Sequence, residues 1–253
     1  MDEPFTGKAL AALHASGDHT YKSLAKLAKI TRSAVAGRID RYLKSNPRPE
    51  GVTTSTGQRA YPPVRLRAAV FDIECMNFKA VGETNFLICT SILPLDRDEV
   101  ETLSIRYDEK NKDIRLLKDV ITALEKYDIL IGHNIASFDM NWLHSRLMYH
   151  GLPTPQKRWL YYDTYQRAKT MAIKAERKSL GHLIDFFDLK GIKTAVLPRA
   201  WRNVASRTRK EHDHALQEIA LHCEYDVYAN REVFHAMYPH DRGMRNLPVV
   251  RKW

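Results

Sequence analysis

The 253-residue sequence has few cysteines and lacks long apolar runs, and both shortages restrict what the protein can be. Its three cysteines, Cys75, Cys89 and Cys223, are an odd number without CxxC spacing, which predicts reduced thiols and a cytoplasmic location. No apolar stretch approaches the roughly 18 residues of a membrane span. The N-terminal stretch MDEPFTGK starts with acidic residues and lacks an apolar run, so no signal peptide is expected.

Acidic residues are too few to balance the basic ones. The chain has 40 Lys and Arg against 30 Asp and Glu, a formal net charge of +10. Residues 1–68 hold most of this excess, with 12 basic side chains against 5 acidic ones. Such a balance favours acidic partners, nucleic acid first. The length suits one domain, or one domain with a small additional module.

Residues 1–46 are predicted to form a small helical module. In the stretch YKSLAKLAKITRSAVAGRIDRYLKSNP the apolar positions follow helical spacing, while Thr31 and Ser33 suit a turn followed by a helix N-cap. Two short helices with a tight turn and a basic second helix are typical of a helix-turn-helix DNA-binding module. A helical module with basic, solvated faces is the alternative. The predicted DNA-binding side chains are Arg32, Arg38, Arg41 and Lys44.

The remaining chain divides into a linker, a larger domain and a tail. Residues 47–67 are rich in Pro, Gly, Ser and Thr, which predicts a linker or a β-hairpin wing on the helical module. Residues 68–238 start with predicted strands and then alternate strands with helices, an order typical of an α/β sheet flanked by helices. Residues 239–253 form a C-terminal tail for which we predict no function.

Acidic side chains interrupt the apolar pattern of one predicted strand and that of one predicted strand-to-helix segment. Asp72 and Glu74 alternate with apolar residues in the predicted strand AVFDIECM, so both carboxylates lie on one face. A divalent cation, pairing with an arginine or exposure at a strand end would each relieve their repulsion. Asp139, in the stretch IGHNIASFDMNWL, falls in the first turn of a predicted helix. Helix capping alone would explain a carboxylate there.

A third acidic piece lies in the stretch LHCEYDVYANREVF. His222 and Asp226 are four residues apart on a predicted helix, so they share a face. A single histidine in this setting is more often a surface residue or a satisfied core residue than a functional one.

Together, the three pieces resemble the DEDD superfamily of 3′–5′ exonucleases, the proofreading-exonuclease branch of the ribonuclease-H-like fold. They read Asp-x-Glu on a strand, HNxxxFD entering a helix and HCxxD late on a helix, within residues 68–238. The stretch YYDTYQRAK followed by KSLGHLIDFFDLKGIKT is also similar to that family's segment between its second and third motifs. The resemblance implies a ribonuclease-H-like mixed sheet flanked by helices.

The same resemblance implies an enzyme that hydrolyses phosphodiester bonds at the 3′ end of DNA, with single-stranded DNA as the expected form. DNA repair, recombination or phage-type DNA processing would suit such an enzyme with an N-terminal DNA-binding module. An RNA 3′–5′ exonuclease and a catalytically silent DNA-binding regulator are the alternatives. No membrane partner is expected.

Site residues follow from the resemblance as well. It implies two Mg²⁺ or Mn²⁺ ions held by four acids, namely Asp72, Glu74, Asp139 and Asp226. It also implies that Asn134 and Phe138 contact the terminal nucleotide, although Phe138 suits a plain core position equally well. Asp163 matches a family position either near the substrate or beneath the motifs.

His222 departs from the family pattern. Family members with a catalytic histidine place it five residues before the last aspartate, whereas members with a tyrosine place it four residues before. His222 stands four residues before Asp226, and Leu221 occupies the other position. One residue turns a side chain by about 100° around a helix. We still expect His222 to face the site, either as the base that deprotonates water or as a group that orients it.

A last basic stretch, PRAWRNVASRTRK at residues 198–210, mixes arginines with an aromatic side chain. This composition suits single-stranded nucleic acid, and Trp201 and Arg202 are the predicted contacts. An exposed charged loop is the alternative.

Overall fold

A mixed five-stranded sheet lies at the centre of the computed structural model, which describes residues 11, 21–28, 31–45, 66–109, 113–157, 159–189, 196–206 and 208–241. Strand order is β3-β2-β1-β4-β5. The antiparallel pairs are β1 with β2 and β2 with β3, while β4 runs parallel to β1 and to β5. The strands are β1 Ala68–Cys75, β2 Leu87–Pro94, β3 Glu101–Ser104, β4 Ile129–Gly132 and β5 Leu160–Asp163. The predicted mixed sheet is thus confirmed.

Helices flank this sheet at the positions that the apolar periodicity predicts, with one addition. The long helix α8 packs against β1, β2, β3 and β4. The helices are α1 Tyr21–Ala28, α2 Arg32–Ser45, α3 Ile114–Leu124, α4 Asp139–Tyr149, α5 Thr164–Thr170, α6 Leu180–Phe186, α7 Pro198–Asn203 and α8 Arg209–Met237. Short 3₁₀ turns lie at Tyr107–Glu109 and Tyr238–His240. No helix among the described residues is both long and apolar enough to cross a membrane.

Alternation along β1 divides the core into two clusters. Phe71 and Ile73 pack into the first apolar cluster with residues of α3 and α4, while Val70 packs into the second apolar cluster with residues of β4, β5 and α8. Asp72 and Glu74 continue the Val70 face toward the carboxyl end of the strand. Because β1, β4 and β5 are parallel, their carboxyl ends meet at one edge of the sheet. The strands therefore bring their terminal polar residues together there.

The N-terminal helices share the second apolar cluster. Leu24 of α1 and Val35 and Ile39 of α2 are buried in the same cluster as Val70 and Leu93 of the sheet. The predicted capping role of Thr31 is confirmed, because its Oγ1 accepts a hydrogen bond from the Ala34 N–H at 3.2 Å. These helices are therefore attached to the sheet through apolar contacts. The predicted linker or wing at residues 47–67 lies almost entirely outside the described residues, as does most of the 239–253 tail.

The basic stretch at residues 198–210, for which an exposed charged loop was the alternative prediction, begins with helix α7. It starts at Pro198, which suits the first turn of a helix, and it buries Ala200. Helix α7 packs against α8, and half-buried Trp201 contacts the first apolar cluster. A six-residue helix with three charged or amide side chains has too little apolar periodicity to be recognised from sequence.

Candidate metal centre

Two carboxylates of the centre come from β1. Asp72 and Glu74 lie on the same face, as the strand alternation predicted, and both are half-buried. A register irregularity between Glu74 and Cys75 shifts the pairing with β2 directly after the second acid, so that Cys75 pairs with Leu87. Such irregularities redirect side chains at strand ends. Here it lies where the strand leaves the sheet beside the acidic cluster.

Asp139, at the start of α4, is the third carboxylate of the centre and lies against β1. It is the first residue of that helix, only 3% of it is exposed, and its Oδ1 accepts a hydrogen bond from the Ile73 N–H at 3.3 Å. Ile73 lies between the two β1 acids, so this bond holds the third carboxylate against the same stretch of strand. The positive end of the helix favours its ionised form. Asp139 therefore does more than cap a helix.

Helix α8 contributes the fourth carboxylate and the histidine. His222 Nε2 lies 3.8 Å from Glu74 Oε1 and 3.7 Å from Asp226 Oδ2. Leu221, at the alternative family position, is 50% exposed. The Cys223 thiol lies 3.6 Å from the Asp72 carbonyl oxygen and 3.7 Å from Asp72 Oδ2, which fixes the helix against β1. His222 thus faces the carboxylates.

Burial raises the pKa of all four acids, and repulsion between them adds to the rise for Asp72 and Glu74. Burial is the largest cause for Glu74, whose pKa rises to about 8, with further contributions from Asp226 and Asp139. The pKa of Asp139 rises to about 7, mainly through burial. Burial and the three other carboxylates hold the pKa of Asp72 well above its usual range. The pKa of Asp226 is also raised by burial, although the positive charge of His222 opposes the rise.

This donor set fits a divalent cation. Ligand atoms of Glu74, His222 and Asp226 all lie within 4.8 Å of one another, and each side chain is only partly exposed. Carboxylate oxygens are the ligands that Mg²⁺ and Mn²⁺ prefer. A cation would favour the ionised carboxylates and so remove the repulsion that raises their pKa. The carboxylates of Asp72 and Asp139 are close enough to this trio to interact with it electrostatically.

Asn134 and Asp163 support each other at the same sheet edge. Asn134 follows β4 with a left-handed backbone, φ 65°, and its N–H donates to Asp163 Oδ1 at 2.9 Å. The same oxygen accepts from the Gln166 N–H at 3.1 Å and so caps α5. Asp163 is buried, which favours the supporting position beneath the motifs over direct contact with substrate.

Phe138 stands beside an aromatic residue that sequence reasoning missed. Phe138 is half-buried against the core, and the Phe78 ring meets it edge to face at a centroid distance of 5.9 Å. Phe78 is 87% exposed. Both rings line an open groove of about 410 Å³ together with Val81, Ser137, Asn141 and Trp142. The signal available in the sequence was a lone phenylalanine four residues after Glu74, flanked by polar residues.

The other predicted nucleic-acid contacts differ in their exposure to solvent. Arg202 is exposed on α7, whereas Trp201 is half-buried beside it. On α2, Arg41 is exposed, but only 7% of Arg38 is exposed. Its burial makes Arg38 unsuited to direct contact with DNA in this conformation. The side chains of Arg32 and Lys44 lie outside the described part of the structure.

A mixed sheet with four carboxylates and a histidine at one edge defines a protein of ribonuclease-H-like fold with a candidate metal centre. Residues 69–238 match the family model RNase_H_2, described as RNase_H superfamily, and the chain belongs to this superfamily. Membership and the acidic centre together support a nuclease. Nuclease chemistry implies a nucleic-acid substrate.

Comparison with solved structures agrees at the level of fold. The chain is similar to a family B DNA polymerase from the hyperthermophilic archaeon Pyrobaculum calidifontis, with a TM-score of 0.50 and 17% sequence identity. The similarity covers 76% of this chain and 27% of the polymerase chain. At this identity the likeness concerns the fold alone. Among curated proteins, none matches the chain.

Proposed function

We propose that this protein is a metal-dependent 3′–5′ exonuclease that removes nucleotides from the 3′ end of DNA. The observation that carries the proposal is the cluster of four carboxylates from three separate elements, with His222 between two of them. Uncompensated, such a cluster opposes its own ionisation. A cation-dependent reaction explains why the chain keeps all four acids together.

The proposed cation ligands are Asp72, Glu74, Asp139 and Asp226. Two Mg²⁺ or Mn²⁺ ions held by these residues would supply charge stabilisation for the attacking and leaving oxygens of an in-line displacement at phosphorus. The hydrogen bond from the Ile73 N–H and the contact from the Cys223 thiol orient two of these carboxylates before substrate arrives. Phosphodiester hydrolysis depends chiefly on such positioning and on charge neutralisation.

His222 is the proposed general base or water-orienting group. Its Nε2 lies within 3.8 Å of carboxylate oxygens from both Glu74 and Asp226. In this position its imidazole can accept a proton from a water molecule held beside Glu74. The adjacent carboxylates stabilise the imidazolium that results. The Leu221 position does not offer this arrangement, since its side chain is exposed to solvent.

Single-stranded DNA is the proposed substrate form. The groove lined by Phe78 and Phe138 starts directly beside Asp139 in the chain and is open enough to accept an unpaired base. Aromatic faces bind bases of any sequence by stacking. Asn134 is the proposed polar contact to the terminal nucleotide, with Arg202 and Trp201 as more distant contacts.

The N-terminal helices are the proposed DNA-binding module. The exposed Arg41 on α2 and the basic excess of residues 1–68 support this role. A cytoplasmic role in DNA repair, recombination or phage-type DNA processing would combine the two activities. The association of α1 and α2 with the sheet through the second apolar cluster would keep bound DNA near the acidic centre.

Cleavage assays test this proposal directly. Purified protein with Mg²⁺ or Mn²⁺ is mixed with 5′-labelled single-stranded DNA, duplex DNA or RNA, and Asp226→Asn serves as the control. A product ladder that shortens from the 3′ end and disappears with chelator or in the variant is expected. Shortening of RNA alone would support the RNA exonuclease. Binding of duplex DNA without cleavage of any substrate would support the catalytically silent regulator.

A further inference from the structure

The loop between β1 and β2, residues 76–86, exposes apolar side chains beside the acidic centre. Phe78 is 87% exposed and Val81 is 60% exposed. Isolated exposed apolar residues need no explanation, but these two line one groove together with Phe138. A flexible loop would be expected to fold such side chains away from water. The 76–86 loop is instead held in its exposed arrangement by hydrogen bonds.

Helix α4 supplies the donors for three of these bonds. The Trp142 Nε1–H donates to the Asn77 carbonyl at 3.0 Å. Arg146 Nη1 donates to the carbonyl of Ala80 at 3.2 Å and to that of Gly82 at 3.1 Å. These three carbonyls lie on both sides of Phe78 along the chain. Helix α4, which begins with Asp139, therefore sets the position of the 76–86 loop relative to the acidic centre.

Arg146 is itself held by a buried carboxylate. The side chains of Arg146 and Asp113 are both fully buried, and Arg146 Nε donates to Asp113 Oδ1 at 3.0 Å. Asp113 Oδ2 also accepts from the Leu87 N–H at 2.7 Å, where β2 begins. His150 Nε2 lies 2.8 Å from Asp113 Oδ1. This network links α4, the start of α3 and the far end of the 76–86 loop.

A buried ion pair is weak grounds for stability, because removing two charges from water offsets much of their attraction. Apolar residues of similar volume would fill the same space at least as well. What an apolar pair cannot do is donate to two backbone carbonyls of a loop. The buried pair is therefore better explained by the geometry that it imposes on the 76–86 loop than by the stability that it adds.

The loop also has internal bonds that complete this geometry. Gly82 adopts a φ of 125°, which a side chain would disfavour, and its carbonyl accepts from the Asn85 N–H as well as from Arg146. The buried Asn85 side chain donates to the Val81 carbonyl at 2.6 Å. Together, these hydrogen bonds favour a rigid loop backbone beneath two exposed apolar side chains.

We propose that Trp142 and Arg146 are positioning residues for the substrate. By fixing the 76–86 loop, they keep Phe78 in place beside Phe138, so that the two rings form a preformed wall for the unpaired base at the 3′ end. This inference rests on the proposed exonuclease function. Preorganisation lowers the entropy lost on binding, so loosening the loop raises KM more than it lowers kcat.

A matched pair of tryptophan variants separates this role from a purely structural one. Trp142→Phe removes one N–H donor to a loop carbonyl and keeps an aromatic ring. Trp159→Phe makes the same change elsewhere, because the buried Trp159 Nε1–H donates to the Leu124 carbonyl, also at 3.0 Å. Arg146→Lys is the second variant that weakens the attachment of the loop, because it keeps the charge beside Asp113 but loses the guanidinium fork. Phe78→Ala removes the ring that the loop contributes to the proposed wall.

Two readouts are measured for each variant. The first is kcat and KM for single-stranded DNA with Mg²⁺. The second is quenching of a fluorescent 2-aminopurine base at the 3′ end of the DNA, measured with chelator, which reports stacking without cleavage. We expect Phe78→Ala to raise KM about tenfold and Trp142→Phe to raise it about threefold. Trp159→Phe leaves KM and quenching unchanged.

The energetic coupling between Trp142 and Phe78 decides whether Trp142 has a positioning role or a purely structural role. If Trp142 acts through Phe78, the double variant Trp142→Phe/Phe78→Ala has the KM of Phe78→Ala alone, because the Phe78 ring that Trp142 positions is already absent. Additive effects, or equal effects of the Trp142 and Trp159 variants, would overturn the proposal. If the wild type cleaves nothing, the exonuclease proposal fails, but the quenching series still tests the wall. Quenching that is equal in wild type and Phe78→Ala would overturn the wall itself.

Discussion

Glu74→Gln should stabilise the metal-free protein at alkaline pH, although it removes a residue of the acidic centre. Glu74 has a pKa of about 8 in the folded protein, because burial, Asp226 and Asp139 all oppose its ionisation. The folded state therefore binds more protons at Glu74 than the unfolded state does between pH 4.5 and about 8. The free energy of unfolding falls as pH rises through this window.

The size of the effect follows from the same values. A pKa of about 8 against an ordinary value of 4.5 corresponds to an upper limit of about 5 kcal/mol. Four coupled carboxylates share the repulsion, so we expect about 2–3 kcal/mol from the single substitution. Glutamine resembles the protonated glutamate at every pH. The variant should therefore equal the wild type below about pH 4.5 and exceed it above about pH 8.

Urea unfolding in the presence of chelator measures this difference. The free energy of unfolding is compared at about pH 5 and about pH 9 for wild type and variant. Glu99→Gln, an exposed site on the same domain, is the matched control and should follow the wild type. Added Mg²⁺ should stabilise the wild type at alkaline pH and stabilise Glu74→Gln much less. Equal pH dependence in wild type and Glu74→Gln would refute the electrostatic reasoning.

Three further outcomes are expected. With saturating Mg²⁺, the rate of the wild type rises with pH through the range in which histidines titrate, and His222→Ala flattens the pH–rate profile; an unchanged profile would rule out proton transfer by His222. Leu221→His does not restore the activity of His222→Ala, because residue 221 faces solvent, and recovered kcat would show that the helix face is misassigned. Asp163→Ala lowers the free energy of unfolding by about 1–2 kcal/mol, since it removes the α5 cap and a bond to Asn134; a urea midpoint equal to that of the wild type would contradict this.

Periodicity was sufficient to predict the sheet and most helices. The alternation in β1 predicted that Asp72 and Glu74 share a face, and helical spacing predicted that His222 and Asp226 do so. Both patterns are local, so they need no knowledge of the rest of the fold. The four-residue spacing also predicted correctly that His222 faces the acids. Helix α7 was not predicted, because it is stabilised by packing against α8 and its own short sequence has no apolar periodicity.

The 76–86 loop shows what local patterns cannot supply. Asp113 lies directly before α3 and Arg146 lies on α4, 33 residues later, so nothing in either stretch indicates that they meet. Phe78 looks like a stray aromatic among polar residues until the fold places it beside Phe138. Positions that depend on contacts between distant segments become visible only in three dimensions. Burial likewise changes the reading of Arg38, which sequence alone treats like its exposed neighbour Arg41.

The energetics of the acidic centre bear on the choice between an enzyme and a silent DNA-binding regulator. Four carboxylates whose pKa values are all raised destabilise the fold at neutral and alkaline pH. A regulator that never binds cations would gain stability from replacing any one of them by an amide, as Glu74→Gln tests. Retention of all four is advantageous only if a cation compensates their charge. The Mg²⁺ addition in the urea experiment therefore separates a centre that binds cations, which Mg²⁺ stabilises at alkaline pH, from an inert one, which Mg²⁺ leaves unchanged.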